Sequence, residues 1–128
     1  MRKSPPKAVK LKTESSEVFK ALDNIAALQD GWNGGTAKAL APQIIENSKK
    51  LLGEVILPNC YGIKLAPDIF DNFYIIAKHK EVPEILLSFH VFTTSFEMKC
   101  MSNRLEFTFF GRFEQSSLNR LSKILGAL

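Results

Sequence analysis

The sequence predicts an α+β fold: two N-terminal helices packed on a four- or five-stranded antiparallel meander, followed by a C-terminal helix. Three observations predict it. Apolar residues recur at three- and four-residue spacing as far as Ile56, from Cys60 onward their period falls to two, and the turns between the alternating segments are short. A chain of 128 residues is one domain by size and long enough to bury a core.

Residues 1–13 are expected to form a flexible basic arm ahead of a single domain over 14–128. Arg2, Lys3, Lys7, Lys10 and Lys12 are five of the 17 basic residues, and the remaining 12 face all 13 acids. The net charge of +4 therefore lives in the arm, and the body is slightly acidic. Pro5-Pro6 and the scarcity of large apolar groups leave little surface to offset the entropy of ordering. An arm of this kind suits contact with nucleic acid through Lys3, Lys7, Lys10 and Lys12, or with an acidic partner. No apolar segment comes after it, so it does not read as a secretory signal. No apolar run approaches the ~18 residues of a membrane span.

The first helix is expected to start near Ser15 or Ser16, with either hydroxyl capping free N–H groups. Val18, Phe19, Leu22, Ile25, Ala26 and Leu28 then form one stripe. Between the helices lies a joint, Gly31-Trp32-Asn33-Gly34, where glycines stop the first helix and Trp32 is expected to pack against helices or sheet. Full burial there predicts a loss of about 3–5 kcal/mol for Trp32→Ala. Pro42 fits the first turn of the second helix. Ile44, Ile45, Ser48, Leu51, Leu52, Val55 and Ile56 form its stripe, and Pro58-Asn59 closes it.

The strands come next in order. Tyr61, Ile63 and Leu65 alternate up to Pro67; Phe73 to His79 makes the second strand, Ile85 to Phe92 the third and Ser95 to Met101 the fourth. Leu105, Phe107 and Phe109 alternate in the fifth. Short turns make neighbours antiparallel, and clean alternation makes one face dry and the other wet. Leu118, Leu121, Ile124 and Leu125 mark the last helix. It either covers the rest of the sheet or leaves an apolar stripe for another chain.

The segment Gly31-Trp32-Asn33-Gly34-Gly35-Thr36-Ala37-Lys38, with Pro42 four positions on, resembles the G-W-D-G-Y-G-A-K-P-x-S-P motif of small uncharacterised bacterial proteins common on mobile elements. Lys64-Leu65-Ala66-Pro67 and Asp71-Asn72 are similar to their strand-rich half. Asn33 stands where that family has an acid, Gly35 replaces its aromatic, Thr36 a glycine and Ala41 the capping serine. The resemblance implies no reaction. It implies a role in conflict between elements: an antitoxin, an immunity protein or an anti-defence inhibitor.

Chemistry is sparse. His79 and His90 fall across one hairpin, His79 near Ile85 and His90 near Tyr74, roughly 15 Å apart at ~3.4 Å per residue, too far to share a metal. Asp68 and Asp71 flank Ile69-Phe70, where a local turn explains them. Gly34-Gly35 lacks the strand and lysine of a phosphate-cradling loop. Cys60 and Cys100 have no partner motif, and reduced thiols in a cytoplasmic protein are expected. No catalytic, cofactor-binding or metal-binding residue is expected. Outward Lys64, Lys78 and Lys99 share a face with Tyr74, but also with Glu97 and Glu106, a mixed surface that suits phosphate poorly.

What remains is apolar surplus. Ile76, Leu86 and Phe92 oppose the core register of their strands; with Tyr74 and Phe70 they are the expected contacts for a protein partner. An edge strand that pairs with a second copy or extends a partner's sheet is the further mode. The function expected is a small non-enzymatic macromolecule-binding protein. The alternative is a nucleic-acid-binding accessory protein that uses the basic arm.

Overall fold

The computed structural model describes residues 7–32, 34–35, 37–68 and 72–128, with the side chains of 7–14 left aside. Helix α1 spans Lys7–Ala26 and α2 spans Pro42–Leu51. A π-helical stretch, Leu52–Ile56, carries α2 into a last turn, α3 (Leu57–Asn59). Five strands come after it: β1 (Cys60–Pro67), β2 (Phe73–His79), β3 (Leu86–Val91), β4 (Ser95–Met101) and β5 (Glu106–Arg112). Helix α4, Gln115–Ala127, closes the chain. No described helix is long and apolar enough to cross a membrane.

Helix α1 begins earlier than the caps suggested, so Ser15 and Ser16 lie within it. Lysine, alanine and leucine are good helix formers, and they extend the helix upstream of its apolar stripe. Of the segment expected as an arm, residues 1–6 lie outside the described residues and 7–13 belong to α1. Val18 and Leu22 are buried, with Phe19 and Ile25 packed at the margin of the core. All seven stripe residues of the second helix are buried. Pro42 stands at its start, and Ala41 before it provides no side-chain cap.

The sheet is a meander, β1-β2-β3-β4-β5, antiparallel throughout. Tyr74 stands opposite His90, and the His79 N–H donates to the Ile85 carbonyl at 3.1 Å, as hairpin symmetry predicts. In β1 the simple alternation fails. Tyr61 faces Lys78 but Lys64 faces Ile76, so Gly62 and Ile63 together oppose one residue of β2. This is a β-bulge, made by Gly62 at φ +62°. It sends Tyr61 to the same side as Lys64, away from Leu65.

On the core side, Phe73, Ile75 and Ala77 of β2, Leu87, Phe89 and Val91 of β3, and Phe96, Met98 and Cys100 of β4 are all sealed. The buried residues of α1, α2 and α4 join the same cluster. The last helix therefore does not cross to the other face. Two polar anchors hold this layer in place. Asn47 of α2 donates to the carbonyls of Phe92 and Thr93 at 2.9 Å each, which ties the helix to the β3–β4 hairpin. His79 donates from Nε2 to the Leu125 carbonyl at 2.6 Å while Nδ1 accepts the N–H groups of Glu81 and Val82. With two donors on Nδ1, the ring proton belongs on Nε2.

Gly31 and Gly34 both have φ +79°, the Gly31 N–H reaches the Ala37 carbonyl and the Gly34 N–H the Gly31 carbonyl. Trp32 is only half-buried, which corrects the expectation that it is pinned beneath the helices. Its indole N–H needs an acceptor and finds the Lys38 carbonyl at 3.0 Å, within the loop. Ala37, just past the joint, is buried. Asn33 lies outside the described residues.

Candidate functional site

The other side of the sheet carries a second pattern, set by the same register. One row runs across all five strands: Ala66, Tyr74, His90, Glu97 and Phe110. The next is polar apart from Ile76 (Lys64, Ile76, Ser88, Lys99 and Thr108), and the third is Tyr61, Lys78, Leu86, Met101 and Glu106. Phe92 comes just after β3 on this side and Arg112 ends β5 on it. The described helices all pack on the opposite side, so among the described residues this face is bare.

Apolar groups stand out on it. Phe110 is 72% exposed, and Leu86, Phe92 and Met101 are each more than a third exposed, with Leu105 in the adjoining turn. Of the expected contact residues, the structure brings together Tyr74, Ile76, Leu86 and Phe92; Phe70 lies outside the described residues. Phe110, Met101 and Leu105 were missed. The signal for Phe110 was present, because Phe109 and Phe110 are consecutive in a strand and cannot both face the core.

The first row has internal order. Tyr74 stacks on His90 at 4.3 Å between ring centroids, and the Phe92 ring lies tilted against His90 at 4.1 Å. Asn72 fixes the imidazole. Its side-chain amide donates to Asp68 at 3.2 Å, which leaves Oδ1 to accept from His90 Nε2 at 3.0 Å. Asp68 also accepts the Asn72 backbone N–H at 3.0 Å, the local turn role expected of it; Asp71 lies outside the described residues. Burial holds the His90 pKa below the ordinary value of 6.5, against the opposing pull of Glu97 and Asp68. At neutral pH the ring is an uncharged member of the aromatic row.

The charges are mixed, as expected: Lys64, Lys78, Lys99 and Arg112 against Glu97 and Glu106. Lys99 pairs with Glu97 at 3.6 Å, an exposed contact that adds little. Of the residues expected to contact nucleic acid, Lys7, Lys10 and Lys12 fall within α1, and Lys3 lies outside the described residues. His79 and His90 occupy opposite faces. No group of three or more histidine, cysteine, aspartate and glutamate side chains among the described residues is placed to hold a metal. Cys60 and Cys100 are buried and share no disulfide, and burial pushes the Cys100 thiol up, away from the reactive thiolate.

Fold and site together define a two-layer α+β protein whose sheet is covered on one side and carries a partly aromatic, mixed-charge surface on the other. No protein-family model matches the chain, and no curated protein or solved structure does either.

Proposed function

We propose that this chain is a small binding protein that docks another protein on the bare face of its sheet. The observation that carries the reading is the exposure of Phe92 and Phe110 at one end of this face and of Leu86 and Met101 at the other, with half-buried Tyr74 and Ile76 on the same side. Large apolar groups exposed among polar ones on one face mark interaction sites, and aromatic residues are enriched among interface hot spots. Phe110 is the natural anchor because it is the most exposed of these groups. The resemblance of the joint to mobile-element proteins narrows the role to an antitoxin, immunity or anti-defence inhibitor.

Binding of single-stranded nucleic acid is the competing reading, favoured by the four basic side chains on the same face. Base stacking needs free ring faces. Tyr74 and Phe92 each spend a ring face on His90, and Glu97 and Glu106 stand among the basic groups of this face, so the protein reading is the better supported.

Affinity capture from the native host with wild-type chain and with the double variant Phe92→Ser, Phe110→Ser tests this. A protein partner retained by wild type and lost by the variant, at unchanged melting temperature, is the expected result. A partner that survives the double variant but disappears when Lys3, Lys7, Lys10 and Lys12 become glutamine would move the site to the N-terminal segment.

A further inference from the structure

The two edges of the sheet are guarded very differently. Strand β1 has α1 packed against it, a bulge at Gly62, and Lys64 and Pro67 in its sequence. These are the devices that keep an edge from pairing with another chain. Helix α4 also touches β5, but that strand carries no bulge and no proline. Its register with β4 is unbroken from Glu106 to Arg112, and Phe107 to Gly111 contains no charge and no proline.

The phase of the ladder shows which backbone groups β5 offers. Ser102 N–H donates to the Leu105 carbonyl at 2.9 Å, which makes that pair a hydrogen-bonded one. Hydrogen-bonded pairs recur every second residue in an antiparallel ladder, so Phe107, Phe109 and Gly111 bond inward to β4. Glu106, Thr108, Phe110 and Arg112 then direct their N–H and C=O groups outward.

We infer that β5 pairs antiparallel with β5 of a second copy of this chain, about a two-fold axis at Phe109, to make one ten-stranded sheet. The register comes from charge. With Phe109 opposite itself, Glu106 faces Arg112 of the second copy at both ends, and Thr108 faces Phe110. These are the outward-bonding residues, so ladder and charge agree on one register. Shifting the pairing by two residues breaks both ion pairs. On the helix side, Phe107 would stand opposite Gly111, and the half-buried Phe107 and Phe109 would lose their remaining contact with water. The axis runs perpendicular to the sheet, so both bare faces point the same way. The pairing does not rest on the function proposed above: Phe92→Ser weakens that surface and leaves this edge intact.

Sedimentation equilibrium of the full chain at tens of micromolar tests the inference. Wild type is expected at twice the chain mass. Glu106→Arg and Arg112→Glu, both at exposed positions, each place like charges together twice and are expected to be monomeric. The double swap restores opposite charges and is expected to return the dimer. Thr108→Pro, which removes an outward N–H that the intramolecular ladder does not use, is expected to be a folded monomer by circular dichroism. Wild type at the mass of one chain, single swaps that remain dimeric, or a folded double swap that stays monomeric would each overturn the assignment.

Discussion

The covered and bare faces of the sheet come from the same five strands, residue by alternate residue, yet they differ in kind. On the covered side Phe73, Phe89 and Phe96 are sealed under three helices; on the other, Phe92 and Phe110 stand in solvent. Alternation decides which residues share a side, but the connections decide which side is covered. Only Phe113 and Glu114 separate β5 from α4, and Leu118, Leu121 and Leu125 then take the helix back onto the core it has just left. No described helix covers the surplus apolar groups of the far side.

That contrast can be broken most forcefully from the covered side. Phe89→Ala, in the middle of the central strand, is expected to cost about 3–5 kcal/mol in urea denaturation. Gly111→Ala should cost less, about 1–3 kcal/mol, through overpacking. A methyl there would lie 2.7 Å from Phe96 Cζ and 3.0 Å from Phe109 Cε1, and the sealed Phe96 ring has little room to retreat. Phe110→Ser, one residue earlier but facing the other way, is expected to change stability by no more than about 0.5 kcal/mol. A large loss at Phe110 would mean the bare face contributes to folding.

The smallest effect is a titration. NMR of His90 should give a midpoint below 6.5. Glu97→Gln should lower it further, because that carboxylate favours the charged ring. With the folded pKa depressed, both folded and unfolded chains are neutral at His90 above about pH 6.5. Below it the unfolded chain takes the proton first, so stability falls until the folded ring is protonated as well. A midpoint above 6.5 would mean that the carboxylates outweigh burial.

Much of the fold was legible because period and turn chemistry are local. The limits of β2 and β4, the seven-residue stripe of the second helix and the opposition of Tyr74 to His90 come from spacing alone. The features that escaped were non-local or lay below the pattern. Asn47 reads as a polar intruder in an apolar helix until the β3–β4 hairpin carbonyls appear beside it. Trp32 reads as core because tryptophan usually is, but a loop carbonyl satisfies its indole outside the core. Of the bare surface, Tyr74, Ile76, Leu86 and Phe92 were visible as residues out of phase with their strands. Whether α4 would hide them depended on where that helix folds back, which no spacing in the strands records.

The extra residue at Gly62 has a consequence of its own. Because two residues there occupy the place of one, Cys60 and Leu65 can both face inward although five positions separate them. A β-branched residue at 62 would resist the left-handed backbone and favour a flat, regular strand of the same length. The odd interval would then carry Asn59 and the helices behind it to the wrong side of the sheet. Excising Gly62 would instead preserve the parity and merely straighten the edge. The roof of this protein is thus hinged to its floor by counting, and one left-handed glycine makes an odd number behave as an even one.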